Sequence, residues 1–260
     1  MGSTGKSRIG GGEPLETRGE TTSSSGESKV FDTKATGSHT YEDRGIKDTS
    51  RWFDQNSNNQ ELYSEIAGDS EIAGAFRTWA SGHFMAGQQY GDFSDMSERD
   101  QRLTRIYDSI LDRSVIRKAF EVHRSATPEL LLGKGVTRLD GDALMAMVGK
   151  TVITRGNMST GAASEGLTIG RDYAKTIDYV YKFPDNTTGA GLYIGTPKVN
   201  PSWKGEQREF MTNRDLSFDV TNVRRLTERE RADYRARTGE TAPYFQAVLE
   251  YKGRLDHNYS

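Results

Sequence analysis

Trp203-Lys204-Gly205-Glu206-Gln207-Arg208-Glu209-Phe210-Met211 is the stretch on which the reading of this chain turns. A loop closes at Gly205 and enters a strand at Glu209, where Phe210-Met211 is apolar. Two residues apart on a strand means the same face, so Gln207 and Glu209 are expected to point into one cleft. A carboxylate beside a neutral amide suits a site that stabilises a developing cation while the amide orients an incoming group. Glu206 with Glu209 offers a rival register. A plain solvent-facing edge strand gives the same letters.

Working outward, two earlier stretches carry polar side chains at strand ends. Ile153-Thr154-Arg155-Gly156-Asn157-Met158-Ser159-Thr160-Gly161 reads as a strand and a glycine turn leading into a Ser-Thr pair. Hydroxyls there can fix the direction of a neighbouring carboxylate, or simply cap the turn. Val122-His123-Arg124-Ser125 ends a short strand on an arginine, whose planar fork fits phosphate or carboxylate. Each of the three has an ordinary structural explanation when taken alone.

The rest of the pattern sets the fold class. Leu62 and Ile66, then Ile72, Ala75, Phe76 and Trp79, recur at helical spacing and read as core stripes. A further helix starts near Glu98, with Asp95 or Ser97 as its cap and Leu103, Ile106, Tyr107, Ile110 and Leu111 as its stripe. Beyond Ser114 the chain reads as short strands: Ala119–Arg124, Thr151–Thr154, Thr176–Phe183, Gly191–Ile194, Phe210–Met211, Leu216–Val220 and Phe245–Tyr251. A charged helical insert lies between Leu226 and Arg237. Helices first and strands afterwards predict an α+β domain over 51–260 with a sheet-sandwich core.

Residues 1–50 are rich in Gly, Ser, Thr and Glu and carry few apolar side chains. Such a segment cannot bury enough surface to offset its ordering entropy, so a disordered arm is expected there. Its opening Gly2-Ser3-Thr4-Gly5-Lys6-Ser7 imitates a phosphate loop, but no strand or earlier glycine precedes it. Only 33% of the chain is hydrophobic, and mean hydropathy is -0.76. The formal charge of -2 gives no global pull toward nucleic acid or anionic lipid. Cysteine is absent, which excludes disulfides and a thiolate nucleophile, and the four scattered histidines lack metal-ligand spacing. No metal is expected. No membrane-length apolar stretch and no secretory signal core is visible, so the expected location is the cytoplasm of a producing or a target cell. Gly189-x-Gly191-x-x-x-Gly195 has the wrong spacing for a Rossmann turn.

Taken together, and in this order, the three stretches resemble the Arg–Ser-Thr-Ser–Glu class of mono-ADP-ribosyltransferases, especially clostridial exoenzymes that modify Rho GTPases. Further pieces extend the resemblance over roughly residues 60–252: Ser70-Glu71-Ile72-Ala73-Gly74-Ala75-Phe76-Arg77, Gly170-Arg171, and Gly189-Ala190-Gly191-Leu192-Tyr193-Ile194. Two positions depart from the family pattern: Gly161 replaces the third member of Ser-Thr-Ser, and Ser125 follows the arginine where glycine is usual.

The resemblance implies two packed, mostly antiparallel sheets with N-terminal helices, and NAD as substrate without a metal. It makes Glu209 the catalytic carboxylate, oriented by Ser159, with Gln207 and Trp203 facing the acceptor. Arg124, Ser125, Arg77, Arg171 and Thr160 fall on the NAD side. Gln207, giving Gln-x-Glu instead of Glu-x-Glu, implies a non-arginine acceptor on a macromolecule. A protein is favoured over RNA or DNA, because Glu228, Glu230 and Asp233 interrupt the arginines around the insert. An NAD glycohydrolase, and a non-catalytic interaction protein of a phage or toxin complex that keeps the fold, remain open alternatives.

Overall fold

The computed structural model describes residues 46–80, 93–162, 167–168, 177–201, 208–238, 241–257 and 259. All of them lie in one compact unit. Of the Gly/Ser/Thr-rich arm only residues 46–50 are among them, and these are helical.

Helices α1 (Ile46–Asn56), α2 (Asn59–Gly68) and α3 (Ser70–Ala80) come first, followed by a 3-10 turn at Phe93–Asp95 and α4 (Glu98–Leu111). The stripes read from sequence lie on α2, α3 and α4. Asp69 separates α2 from α3 and caps the latter, its carboxylate accepting from the backbone N–H of Glu71 at 2.8 Å and of Ile72 at 3.1 Å. Of the two caps considered for α4, Ser97 is the one used, accepting from Asp100 N. Helix α1 was not expected. Its sequence is mostly polar, and what fixes it is docking: Phe53 stacks on Tyr193 at 4.9 Å and on Phe210 at 5.5 Å.

The strands are β1 (Val115–Ile116), β2 (Phe120–Ala126), β3 (Thr151–Thr154), β4 (Met158–Gly161), β5 (Leu167–Thr168), β6 (Ile177–Phe183), β7 (Thr187–Thr188), β8 (Gly191–Tyr193), β9 (Glu209–Thr212), β10 (Leu216–Arg225) and β11 (Phe245–Arg254). Short helices α5 (Glu129–Leu132) and α6 (Gly141–Met145) separate β2 from β3, and α7 (Glu228–Thr238) separates β10 from β11. The main sheet runs β3-β10-β11-β6-β2-β4-β9-β8, with β5 beside β2, and β1 pairs with β7 in a second sheet. The pairings are antiparallel except β11 with β6 and β5 with β2. Between β2 and β4 the ladder is a single pair, His123 with Gly161. That narrow join separates two halves which pack face to face. Phe120 of β2 meets Phe210 of β9 at 5.2 Å, and Phe183 of β6 meets the same ring at 6.3 Å. The α+β expectation of packed, mostly antiparallel layers with N-terminal helices is what the chain adopts.

Two apolar clusters result. One fills the space between the sheet halves and includes Val122, Met158, Tyr181, Phe210, Phe218 and Leu249. The other joins Leu62, Ile66, Phe76, Trp79, Tyr107 and Ile110 of α2, α3 and α4 to Leu192 and Met211 of β8 and β9. Strand β9 is therefore covered on both faces, with Phe210 in the first cluster and Met211 in the second. Glu209, two residues before Met211, opens on the helix side.

Candidate active site

Three strands and one helix bring the site together. Glu209 is the first residue of β9, and Gly161 of β4 lies opposite it, so Ser159 is on the same face, diagonal to it. The Ser159 hydroxyl donates to Glu209 Oε1. From the neighbouring strand β2, Arg124 reaches across with Nη1 to the carbonyl of Ser159 at 2.9 Å. Arg124 is 2% exposed. A guanidinium buried that deeply beside a carboxylate marks a polar centre inside an otherwise apolar wall.

Burial pushes the Glu209 carboxyl above its ordinary range, while the Ser159 hydroxyl, the Trp79 indole and the charge of Arg124 pull it back toward ionisation. Such tension between desolvation and specific partners is typical of working carboxylates.

Trp79 is the residue that sequence reading left in the core. Its indole Nε1 donates to Glu209 Oε1 at 3.0 Å. Tryptophan at the end of a helical stripe needs an acceptor for its N–H, which was the available hint. Nothing local in the sequence says which acceptor it finds.

Not every expected site residue joins this cluster. Thr160 is fully buried, and its hydroxyl donates to the Phe210 carbonyl at 2.7 Å. Strand alternation turns it away from Glu209, so it ties β4 to β9 and does not line the site. Ser125 faces the side of β2 opposite Arg124, with its hydroxyl 3.4 Å from that of Tyr234 on α7. Only its backbone remains near the cleft. Arg77 is exposed on α3, two residues before Trp79, and no described contact brings it to Glu209. Arg171, Trp203 and Gln207 lie outside the described residues.

Face-sharing between Gln207 and Glu209 requires extended backbone through 208, but β9 begins at Glu209 and Arg208 has φ 52. A left-handed residue interrupts the alternation, so strand periodicity does not place residue 207.

Around the insert, Arg224 pairs with Glu230 at 2.7 Å and Arg231 with Glu228 at 2.6 Å. These arginines are engaged within the fold. Among the described residues no group of three or more His, Asp or Glu is placed to hold a metal ion, and no helix is long and apolar enough to cross a membrane.

No protein-family model matches the chain, and no curated protein does. Solved structures do match. Plx2a, an ADP-ribosyltransferase toxin from Paenibacillus larvae, aligns with a TM-score of 0.54 over 80% of this chain and 96% of that one, at 14% identity. C3stau2 from S. aureus, solved with NAD, aligns with a TM-score of 0.54 over 81% of this chain and 97% of that one, at 18% identity. The alignments span nearly the whole of both solved chains and about four fifths of this one. The chain therefore has the fold of the ADP-ribosyltransferase toxins.

Proposed function

We propose that the protein is an NAD-dependent mono-ADP-ribosyltransferase that breaks the nicotinamide–ribose bond of NAD and passes ADP-ribose to a non-arginine acceptor on a macromolecule. One observation carries this reading. Arg124, Ser159 and Glu209 come from distant parts of the chain yet form one hydrogen-bonded cluster in that fold.

The chemistry follows from charge. As the N-glycosidic bond breaks, its electron pair leaves with nicotinamide and the ribose carbon becomes positive, as in glycoside hydrolysis. In its ionised form, which the Ser159 hydroxyl, the Trp79 indole and the Arg124 charge favour against burial, Glu209 supplies the compensating charge and accepts from a ribose hydroxyl. The acceptor's nucleophile then forms the new bond to the ribose carbon and gives up its proton. Ser159 holds the carboxylate. Arg124 provides positive charge for the dinucleotide, with Arg77 and Arg171 assigned to its phosphate and nicotinamide sides. Ser125 contributes through its backbone, and Thr160 acts by fixing β4 against β9. Trp203 and Gln207 are assigned to the acceptor.

A protein acceptor is favoured over RNA or DNA because Arg224 and Arg231 are already paired with Glu230 and Glu228. The test is incubation with labelled NAD and cell lysate, followed by separate protease and nuclease digestion. Protease-sensitive label is expected, and Glu209→Gln should reduce its formation by on the order of 10²–10³. Nicotinamide release without macromolecular label points to a glycohydrolase instead. Absence of any NAD turnover, or near-parental activity in Glu209→Gln, refutes the proposal.

A further inference from the structure

We infer that Trp79 is a positioning residue for Glu209: its indole N–H, together with the Ser159 hydroxyl, fixes one carboxylate oxygen so that the other is presented to substrate. Only the identity of what meets that second oxygen rests on the proposed transferase reading.

Both donors converge on Oε1. Among the described residues no hydrogen-bond donor meets Oε2. A carboxylate oxygen has two lone pairs, so a pair of donors occupies Oε1 and leaves Oε2 as the oxygen able to accept from a ligand. A carboxylate held at one oxygen by two groups from different elements cannot turn about its terminal bond without breaking both contacts.

The two donors differ in kind. A serine hydroxyl can rotate and can also accept. An indole N–H only donates, and its direction is set by the ring. The Trp79 ring is itself fixed: it is 4% exposed and meets Tyr107 edge-on at 5.4 Å, with the rings at 83°. The Tyr107 hydroxyl donates to the Ala75 carbonyl at 2.9 Å, which ties α4 to α3 around the indole. The donor to Glu209 is thus anchored in the helix cluster, independently of the strand ladder that carries Ser159.

The ordinary alternative is that a buried tryptophan has satisfied its N–H with the nearest acceptor. That role predicts a loss of stability only. The positioning role predicts a change in the carboxylate. Arg124 on β2 is the charge that acts on Glu209, and Ser159 on β4 and Trp79 on α3 are its neutral donors. Removing the indole N–H takes away one of three influences favouring the ionised form.

The test uses the full chain. Trp79→Phe removes the N–H, and incorporation of 3-benzothienylalanine at position 79 removes it while keeping the bicyclic shape. Two quantities are measured: nicotinamide release from NAD against pH, and the Glu209 titration by NMR of ¹³C-carboxylate-labelled glutamate. Glu209→Gln identifies the resonance. The expected result is a roughly 10–100-fold fall in kcat, with KM for NAD changed by less than about threefold. The acid limb of the profile and the Glu209 titration should both move to higher pH. Parental kcat and an unshifted titration in a folded variant overturn the inference. If Trp79→Phe does not fold, the isosteric variant decides. If the parent shows no NAD turnover, the transferase proposal falls, and the titration still decides whether the indole holds the carboxylate.

Discussion

Gly195→Ala should move the Glu209 carboxylate without touching it. Gly195 follows β8, and its N–H donates to the Glu209 carbonyl at 3.0 Å, beside the Ile194 N–H at 2.9 Å. A Cβ built at residue 195 falls 2.5 Å from the Glu209 nitrogen and 2.7 Å from the Arg208 nitrogen. Real Cβ atoms essentially never come closer than 3.0 Å, and both contacts are to backbone, which cannot rotate aside. The Arg208–Glu209 backbone must therefore retreat by at least about half an ångström against the pairing of β9 with β4 and β8. Overpacking of this kind costs about 1–3 kcal/mol, a fall in Tm of roughly 2–10 °C for a domain of this size. A displacement near 1 Å at a reacting group costs on the order of 10²-fold in rate, so nicotinamide release should fall roughly 10–100-fold. The assay pairs thermal unfolding with steady-state NAD turnover. Gly253→Ala, where a Cβ meets nothing within 4 Å, is the control and should match the parent in both. A Gly195→Ala protein that also matches the parent in Tm and turnover refutes the close-approach argument.

Arg214→Met should destabilise the chain by about 3 kcal/mol in urea unfolding, because it strips the guanidinium from Asp108, whose carboxyl burial already pushes up. Both side chains of that 3.0 Å pair are 2% exposed, and the Tyr259 hydroxyl bond at 2.9 Å keeps the loss at the low end. A further Asp108→Asn in that background should recover part of it, and unchanged unfolding in the single variant counts against a structural role for the pair. For pH, burial pushes His257 down, but its bonds to Asp112 and Asp215 and the charge of Asp108 outweigh this and carry it up to about 9. His123 follows the same pattern between Asp178 and Glu121, also reaching about 9. A raised histidine stabilises the folded state fully below its unfolded value of about 6.5, and that contribution is lost as pH climbs through the folded value. Tm should therefore fall between about pH 6.5 and 9, and the double variant His123→Gln/His257→Gln should flatten the slope. A parent whose Tm is level across that window contradicts the assignment.

Much of the fold was legible because one-sided burial leaves a period in the sequence. The stripes of α2, α3 and α4 and the alternation Ile177, Tyr179, Tyr181, Phe183 on β6 each follow from a single element having a core side. Helix α1 was not legible, since its place depends on Phe53 finding Tyr193 and Phe210, partners far away in sequence. The Ser159-Thr160 pair read as the end of a turn. It is inside β4, because pairing with β9 converts that stretch to strand.

Sequence alone determined the α+β class, the succession of helices before strands, and the candidates Arg124, Ser159 and Glu209, because residue type, local period and motif order survive in a linear string. Tertiary structure decided which candidates meet. It turned Ser159 toward Glu209 and Thr160 toward Phe210, directed Ser125 to Tyr234, and brought Trp79 to the carboxylate. The physical reason is that a hydrogen bond between distant residues depends on how elements pack and in which register strands pair, and neither is written in any local stretch of the chain.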